Sequence, residues 1–288
     1  MTIDPTEAFE AHRGLLVGAA YRVLGSHAEA EDVVQETWIR WAGLDPRTID
    51  DPRAYLVTIA TRLALNRARH LQSRRESYVG PWLPEPVASG PHVDGASAAE
   101  LADEVSMAML IVLEALSPLE RAAFVLTDVF GMPSGEVGAA LDRSPAAVRQ
   151  LVHRARAHVE ARQPREVVDA ARHREVTLRF MAAAGSGDVE GLLEVLSPDV
   201  TLISDGGGIK KAALRPIHTA DKVIRWLLGV LSRPDTPDLE ADLRVVNGEL
   251  AIVMTSHDTV DSVWFLTVEG GRITALHSIR NPEKLTAV

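Results

Sequence analysis

The chain has 288 residues, 46% of them hydrophobic, and a formal charge of -10 at neutral pH. That leaves room for two or three domains and argues against a wholesale basic coat for nucleic acid. The absence of cysteine excludes disulfides and thiolate zinc sites. Met1-Thr2-Ile3-Asp4-Pro5 lacks the positive region and apolar core of a secretion signal, and even the apolar run from Val223 to Leu231 is broken by Arg225. A cytoplasmic protein that touches no membrane is expected.

Glu7 to Leu24 has helical periodicity, with Phe9, Leu16, Ala20 and Leu24 inward and Gly25 as the stop. Ser26 and Glu29 read as a capping box for a helix to about Trp41. There Ala30, Val33, Val34, Thr37 and Trp38 alternate with Glu29, Asp32, Gln35, Glu36 and Arg40. The acidic side fits an ordinary solvated face or a docking surface for a basic partner. Asp51-Pro52 opens a longer helix, to Gln72 or beyond, with Leu56, Ile59, Ala60, Leu63 and Ala64 at core spacing. Tyr55, Thr58, Arg62, Asn66 and Arg69 fall largely elsewhere on it. Amides, hydroxyls and guanidinium groups on one helix suit single-stranded or distorted nucleic acid, although arginines near a helix C-terminus are also favoured by the dipole alone.

Residues 79–98 are rich in proline and glycine, from Gly80-Pro81-Trp82-Leu83-Pro84-Glu85-Pro86 to Gly90-Pro91, and cannot form a helix interior or central strand. A plain spacer has no need of Trp82 and Leu83, so the strap is expected to pack on a folded domain. From about Ala99 a helix is expected through Val105, Met109, Val112 and Leu116. Ser117-Pro118-Leu119-Glu120 is a capped helix start, carrying Ala122, Phe124, Val125 and Val129 inward. A short helix from Ser134 bears Val137, Ala140 and Leu141, and the turn Leu141-Asp142-Arg143-Ser144 leads to Pro145 at the start of a third helix. On that helix Val148, Leu151, Val152, Ala155 and Val159 form one stripe, while Arg149, Gln150, His153, Arg154 and Arg156 lie outside it. Two short helices with a tight turn and a basic outer face match a helix-turn-helix entering a major groove. An ordinary amphipathic hairpin with basic residues outward has the same pattern.

Residues 168–288 form the last domain. Helices are expected over Val168 to Ala184, Asp188 to Leu196 and Asp221 to Leu231, with a strand at Val200 to Ser204. Strands follow at Ala241 to Val246, Leu250 to Ser256, Ser262 to Val268 and Arg272 to Ile279, punctuated by Asn247-Gly248 and Gly270-Gly271. Helices followed by an antiparallel meander make an α+β layout, a curved sheet wrapped over helices.

The order and spacing of these features closely resemble an extracytoplasmic-function sigma factor of bacterial RNA polymerase. The match rests on Ala28 to Trp38, on Asp51-Pro52-Arg53-Ala54-Tyr55-Leu56 through Asn66-Arg67-Ala68-Arg69, and on Leu116 to Phe124 with the helix-turn-helix after it. The last domain resembles the SnoaL-like branch of the NTF2-like superfamily. A sigma subclass with such an extension is matched by Trp82-Leu83-Pro84-Glu85-Pro86, Asp205-Gly206-Gly207-Gly208 and Asn281-Pro282-Glu283-Lys284-Leu285. Ile209 displaces the expected lysine of the glycine motif to Lys210, and Glu283 stands for an aspartate.

The resemblance implies a multidomain protein: an all-α region 2 over 1–78, the linker 79–98, an all-α region 4 over 99–165, and an α+β regulatory domain over 168–288. It implies core-polymerase docking by Asp32, Gln35, Glu36 and Trp38, and capture of melted -10 DNA by Tyr55, Thr58, Arg62, Asn66 and Arg69. Reading of the -35 element falls to Arg143, Ser144, Arg149, Gln150, His153, Arg154 and Arg156. A regulatory contact is expected from Trp82, Leu83, Pro84, Asp205, Gly206, Gly207, Gly208, Lys210, Asn281, Pro282, Glu283 and Lys284. Core RNA polymerase and promoter DNA are the expected partners of a free monomer, with no cofactor, metal or catalytic residue, and with modulation in cis by the last domain.

The alternative is a small-molecule-binding or isomerase- or cyclase-like domain fused to a DNA-binding module. Its candidate groups are Asp205, His218, His257, Asp258 and His277. Tyr21, Tyr55 and Tyr78 all precede the linker, so no phenol from the last domain is expected for an isomerase-type site. The three glycines lack Walker spacing and read as a hinge or docking loop.

Overall fold

A computed structural model describes residues 5–45, 49–75, 77–88, 105–162, 168–232 and 239–288. The later half of the expected linker, the expected helix start at Ala99 and the boundary at 163–167 lie outside the described residues. The chain divides into two compact units, Met1–Ser77 with Ser89–Gln163, and Tyr78–Ala88 with Pro164–Val288. No helix among the described residues is long and apolar enough to cross a membrane.

The first unit is helical. It contains α1 (Pro5–Leu24), α2 (His27–Ala42), α3 (Pro52–Arg75), α4 (Met107–Glu114), α5 (Pro118–Phe124), α6 (Ser134–Leu141) and α7 (Pro145–Glu160). Its boundaries follow capping chemistry. Ser26, Ser106, Ser117 and Ser144 each accept the N–H of the residue three ahead, and Ser117 with Glu120 closes a reciprocal capping box. Each such cap stabilises its helix by about 1 kcal/mol. Val105 is non-helical because Ser106 caps α4, so that helix begins later than its apolar spacing suggests. Trp41 is fully buried, and its Nε1–H donates to the carbonyl of Pro5 at 2.7 Å, tying α2 to the start of α1.

The expected inward position of Val129 is corrected. After Phe124 the helix widens to a π turn over Val125–Val129, and Val129 is 42% exposed. The extra residue per turn shifts the phase of the apolar stripe, so Leu126 fills the core instead. Val112, Leu113, Leu116, Phe124, Val125, Ala155 and Val159 make one buried cluster that seats α7. Burying each of the larger side chains contributes about 1.5–3 kcal/mol.

The second unit packs α8 (Ala170–Ser186), α9 (Val189–Val195) and α10 (Ala220–Leu231) on a six-stranded sheet of order β2-β1-β6-β5-β4-β3. The strands are β1 (Leu196–Asp205), β2 (Ile217–His218), β3 (Glu240–Val246), β4 (Glu249–Ser256), β5 (Thr259–Glu269) and β6 (Arg272–Ile279). Strands β3 to β6 form the antiparallel meander, and β1 joins it parallel to β6. Ser197-Pro198 follows closely on the end of α9 at Val195. It lies inside β1, where the register slips between Leu196 and Thr201, an interruption that tolerates a residue without an N–H. The short edge strand β2 carries no sequence signal of its own. Asn247-Gly248, His257-Asp258 and Gly270-Gly271 all have positive φ at both positions, as two-residue hairpin turns require. His257 and Asp258 therefore sit in an exposed turn, not in a strand.

Candidate functional site

On α7 the apolar stripe Val148, Leu151, Val152, Ala155 and Val159 is buried, leaving Arg149, Gln150, His153, Arg154 and Arg156 exposed. Arg143 and Ser144 precede the helix on the same exposed edge, with Ser144 acting as its cap. The flanking arginines are already aimed. The Arg154 guanidinium donates to Glu120 at 2.8 Å, and Arg156 grips Asp128 through two bonds of 2.5 and 2.9 Å. The Ser117 hydroxyl and then Arg154 hold the Glu120 carboxyl below the usual carboxylate range. Among the described residues Arg149 reaches the Ser134 hydroxyl, at 3.4 Å. An exposed N-terminal half with a loosely held arginine beside a glutamine and a histidine can meet base edges, while Arg154 and Arg156 flank it.

Along α3, Arg62, Asn66 and Arg69 are exposed at steps of four and three, and Arg69 donates to the Asn66 side-chain Oδ1 at 3.2 Å. Tyr55 is partly exposed and its ring lies 6.1 Å from that of Trp41. Thr58 is half-buried and donates its hydroxyl to Ala54 at 2.7 Å. Arg62 makes an unforeseen contact, donating to the backbone carbonyls of Ala140 at 3.2 Å and Ala139 at 2.9 Å. Arg67 bridges to α2 by bonding Glu29 and Asp32. Its two acidic partners raise its already high pKa, the Glu29 bond contributing most.

On α2, Asp32, Gln35 and Glu36 are exposed, and Glu36 pairs with Arg40 at 2.6 Å. Trp38 is half-buried against the Phe9 ring, with centroids 5.0 Å apart. Ile39, absent from the sequence reading, is the more exposed apolar group at 71%. A lone aliphatic residue between Trp38 and Arg40 was its only signal.

The second unit holds a buried junction built around Asp205. One carboxylate oxygen accepts from the Tyr78 hydroxyl at 2.6 Å and the Gly207 N–H at 3.1 Å. The other accepts from the Leu83 N–H at 2.8 Å and the Lys284 ammonium at 2.7 Å. Lys284 also donates to the Leu83 carbonyl at 2.5 Å and lies 3.7 Å from the Trp82 ring centroid, a cation–π contact. Asn281 donates to the Tyr78 hydroxyl at 3.0 Å. Burial, then the bond to Asp205, raises the Tyr78 pKa well above its ordinary value.

The strap is held further along by mutual bonds of 2.9 Å between Val87 and Asn247, and Pro84 is buried with Leu83. The glycine loop allows this closeness. A Cβ on Gly207 would strike the Asn281 side chain, and one on Gly208 would lie 3.1 Å from Val79. Gly206 lies against the Lys210 carbonyl and the Ala212 side chain.

Three expected members of this contact stand apart. Lys210 pairs with Asp261 at 3.2 Å, alongside the bidentate Arg280, so Lys284 is the ammonium at Asp205. Pro282 and Glu283 are exposed, because the 3-10 turn Pro282–Lys284 brings Asn281 and Lys284 to one side and turns the intervening pair outward. Residues 168–288 supply no phenol of their own, but Tyr78, just ahead of the strap, brings one to this unit.

The family model for Sigma-70 region 2 matches residues 8–75, and that for Sigma-70 region 4 matches residues 106–159. Over 290 residues the chain is 42% identical to the ECF RNA polymerase sigma factor SigJ of Mycobacterium tuberculosis (strain ATCC 25618 / H37Rv), covering 96% of this chain and 92% of that one. The chain belongs to the ECF RNA polymerase sigma factors. The crystal structure of M. tuberculosis SigJ matches this sigma factor with a TM-score of 0.76 at 38% identity, covering 97% of each chain. A further M. tuberculosis relative, named "Probable ECF RNA polymerase sigma factor SigI", is 35% identical and covers 98% of this chain and 95% of its own.

The sigma factor thus carries all-α region 2 and region 4 modules for promoter recognition and a distinct α+β C-terminal domain. The candidate groups for an isomerase-like site do not converge. Asp205 is occupied by the junction, His218 is exposed beside Thr201, and His257-Asp258 forms a turn. His277 is partly buried, and desolvation pushes its pKa down to about 4. No group of three or more potential ligands among the described residues could hold a metal ion.

Proposed function

We propose that the two faces of the first unit divide the promoter between them. Asn66, Arg62 and Arg69, with Tyr55 and Thr58 beside them, take the melted -10 strand. Arg149, Gln150 and His153 read the -35 major groove, with Arg154, Arg156, Arg143 and Ser144 on the flanking phosphates. The face of α2 bearing Asp32, Gln35 and Glu36 docks on core polymerase, with Ile39 and the edge of Trp38 as its apolar component. The observation that carries this reading is the pair of separate exposed polar faces, on α3 and on α7, each backed by a filled apolar stripe.

Holoenzyme reconstituted with Asn66→Ala loses affinity for a single-stranded -10 segment and keeps its affinity for the -35 duplex, while Arg149→Ala does the reverse. Equal loss on both probes by either variant overturns the division.

The C-terminal domain modulates this activity in cis through the strap. Tyr78–Ala88 connects region 2 to region 4 in the chain, and it folds as part of the C-terminal unit. Whatever fixes the strap sets the slack between the modules, and Asp205 with Lys284 fixes it. Removal of residues 168–288 changes run-off transcription with core polymerase; identical output with and without them removes the idea. A small molecule in the C-terminal cone is a second reading. It is favoured by the Ser204 and Ser278 hydroxyls, which are register neighbours on β1 and β6, buried and without a hydrogen-bond partner.

A further inference from the structure

Strand register orders the helix-facing side of the C-terminal sheet into rows of neighbouring side chains. One row runs from Leu202 on β1 through Leu276 on β6 to Leu266 on β5, all buried in the apolar core. Side chains return to the same face every second residue, so the next row runs Ser204, Ser278, Trp264 and Ile252. Two leucines give way to two serines, yet the change does not mark an approach to solvent. Ser204 and Ser278 are fully buried, and neither hydroxyl has a hydrogen-bond partner among the described residues. A buried, unpaired hydroxyl costs stability that an apolar side chain of similar size would not.

The other polar groups at this end of the face are committed. The Trp264 indole N–H donates to the Ser262 hydroxyl at 3.1 Å. Asp205 follows Ser204 on β1 and so points to the opposite face, where it holds Lys284. Arg280, two residues past Ser278, grips both Asp261 oxygens and donates to the Lys211 carbonyl at 2.7 Å. Lys210 pairs with the same Asp261. None of these charges is left over for a ligand ion, which would lose its hydration here without gaining a partner. The apolar half of the row is equally defined. Trp226 of α10 lies 6.4 Å from Trp264 with the planes at 52°, and Met254 and Leu243 pack beside the same core. These four are only half-buried, unlike the leucine row, so this is the reachable end of the face.

The spacing of the two hydroxyls selects a chemical group. Adjacent strands lie about 4.8 Å apart, and a bond from a hydroxyl to an oxygen spans about 2.8 Å. Two such donors converge on a single oxygen at an angle of about 118°, close to the spread of a carbonyl oxygen's two lone pairs. We propose that Ser204 and Ser278 are a two-donor site for the carbonyl oxygen of a neutral, flat, apolar molecule of the aryl ketone class. Its ring lies against Trp264 and Trp226, with the adaptable Met254 thioether at its edge. This rests on the reading of the C-terminal cone as a small-molecule site made above, and it names the ligand chemistry. The site backs on the strap junction, because Ser204 and Asp205 are consecutive on β1.

The full chain is titrated with methyl naphthyl ketone, with ethylnaphthalene, which has the same shape without the carbonyl, and with the charged naphthoate. The ketone is expected to bind about tenfold more tightly than the hydrocarbon, the size of two net hydrogen bonds, and naphthoate more weakly than the ketone. The infrared carbonyl band of the bound ketone shifts to lower wavenumber, by less in Ser204→Ala or Ser278→Ala. The double variant binds ketone and hydrocarbon equally. Without any probe, that variant melts no lower than the parent, since it removes two unpaired hydroxyls, and this result also shows that it folds. A double variant that melts lower overturns the premise that the hydroxyls are unpaired. A ketone preference that survives in it overturns the site. Equal binding of ketone and hydrocarbon by the parent, or tightest binding of naphthoate, overturns the carbonyl assignment and leaves the small-molecule reading standing. If none of the probes binds, the small-molecule reading fails with it.

Discussion

The exposed helix faces of the first unit and the Asp205 junction of the second use ionic chemistry in opposite ways. In the first, Arg67, Arg154 and Arg156 pair with Glu29, Glu120 and Asp128 at the surface, with roughly half of each guanidinium side chain in solvent. Such pairs add about 0–1 kcal/mol and can be given up to a polyanion at little cost. In the second, Lys284 and Asp205 are buried, and the Asp205 carboxylate bonds the strap, the glycine loop and the C-terminal turn. The first arrangement leaves charges available for exchange, and the second fixes a covalent connection in place. On the functions proposed above, recognition and regulation would thereby fall to different dielectric environments within one chain.

The largest test of this contrast is Lys284→Met. It leaves the Asp205 carboxylate buried without its cation, and breaking a buried pair from one side costs about 3–5 kcal/mol. Equilibrium unfolding of the C-terminal unit is expected to show that loss, and amide exchange at Leu83 to accelerate as the strap loosens. The double variant Asp205→Asn with Lys284→Met recovers part of the stability, because no unpaired charge remains. A loss below about 1 kcal/mol for Lys284→Met would place this pair with the surface pairs and erase the contrast.

Burial also makes the second unit acid-sensitive. His277, flanked in register by Ile203 and Phe265, has its pKa pushed from 6.5 to about 4 by desolvation. The unfolded chain therefore binds this proton more readily than the folded one, so stability is present above about pH 6.5 and is lost as pH falls towards 4. The full effect is on the order of 3 kcal/mol. Unfolding free energies of the parent and of His277→Gln, compared at pH 7.5 and 4.5, are expected to differ in their pH dependence by most of that amount. Parallel curves would mean that the imidazole is hydrated in the folded state.

The same division explains what could be read from sequence. Helix starts at Ser117 and Ser144 and the apolar stripe of α7 depend on neighbours three and four residues away, so local spacing encodes them. The contacts of Asp205 with Tyr78 and of Lys284 with Trp82 join residues more than a hundred positions apart, and only the folded unit makes them. Motif residues marked the region of the junction without giving its partners. Lys210 is adjacent to the glycine loop yet faces Asp261, while Lys284 arrives from the C-terminal turn. The wrong phase at Val129 came from a π turn, which differs from an α turn by one residue and has no composition of its own. Arg62 was legible as a polar group on α3, but its bonds to backbone carbonyls leave no signature in the partner's sequence.

A smaller test concerns the flanks of α7. If Arg154 contacts only phosphate, Arg154→Ala weakens binding equally on promoter and random duplex and lowers the slope of log affinity against log salt by about 1. Arg149→Ala instead loses about 1–3 kcal/mol on one base pair of the -35 element and relaxes the preference there. Sequence-dependent loss with Arg154→Ala would move it from the flank to the reading face.

The smallest expected effect belongs to Asp128→Asn, and it probes the contrast most directly. Asp128 grips Arg156 through two bonds, a geometry that would signify strong coupling if it were buried. At this surface, solvent screens the pair, and removing the charge is expected to change unfolding free energy by less than about 1 kcal/mol. DNA binding gives the sign. With the carboxylate gone, Arg156 meets phosphate without first leaving a partner, so non-specific affinity rises slightly, most at low salt, and converges with the parent as screening shortens the field. A fall in affinity would instead mean that Asp128 must aim the guanidinium, making that surface pair part of the rigid architecture and not of the exchangeable charge.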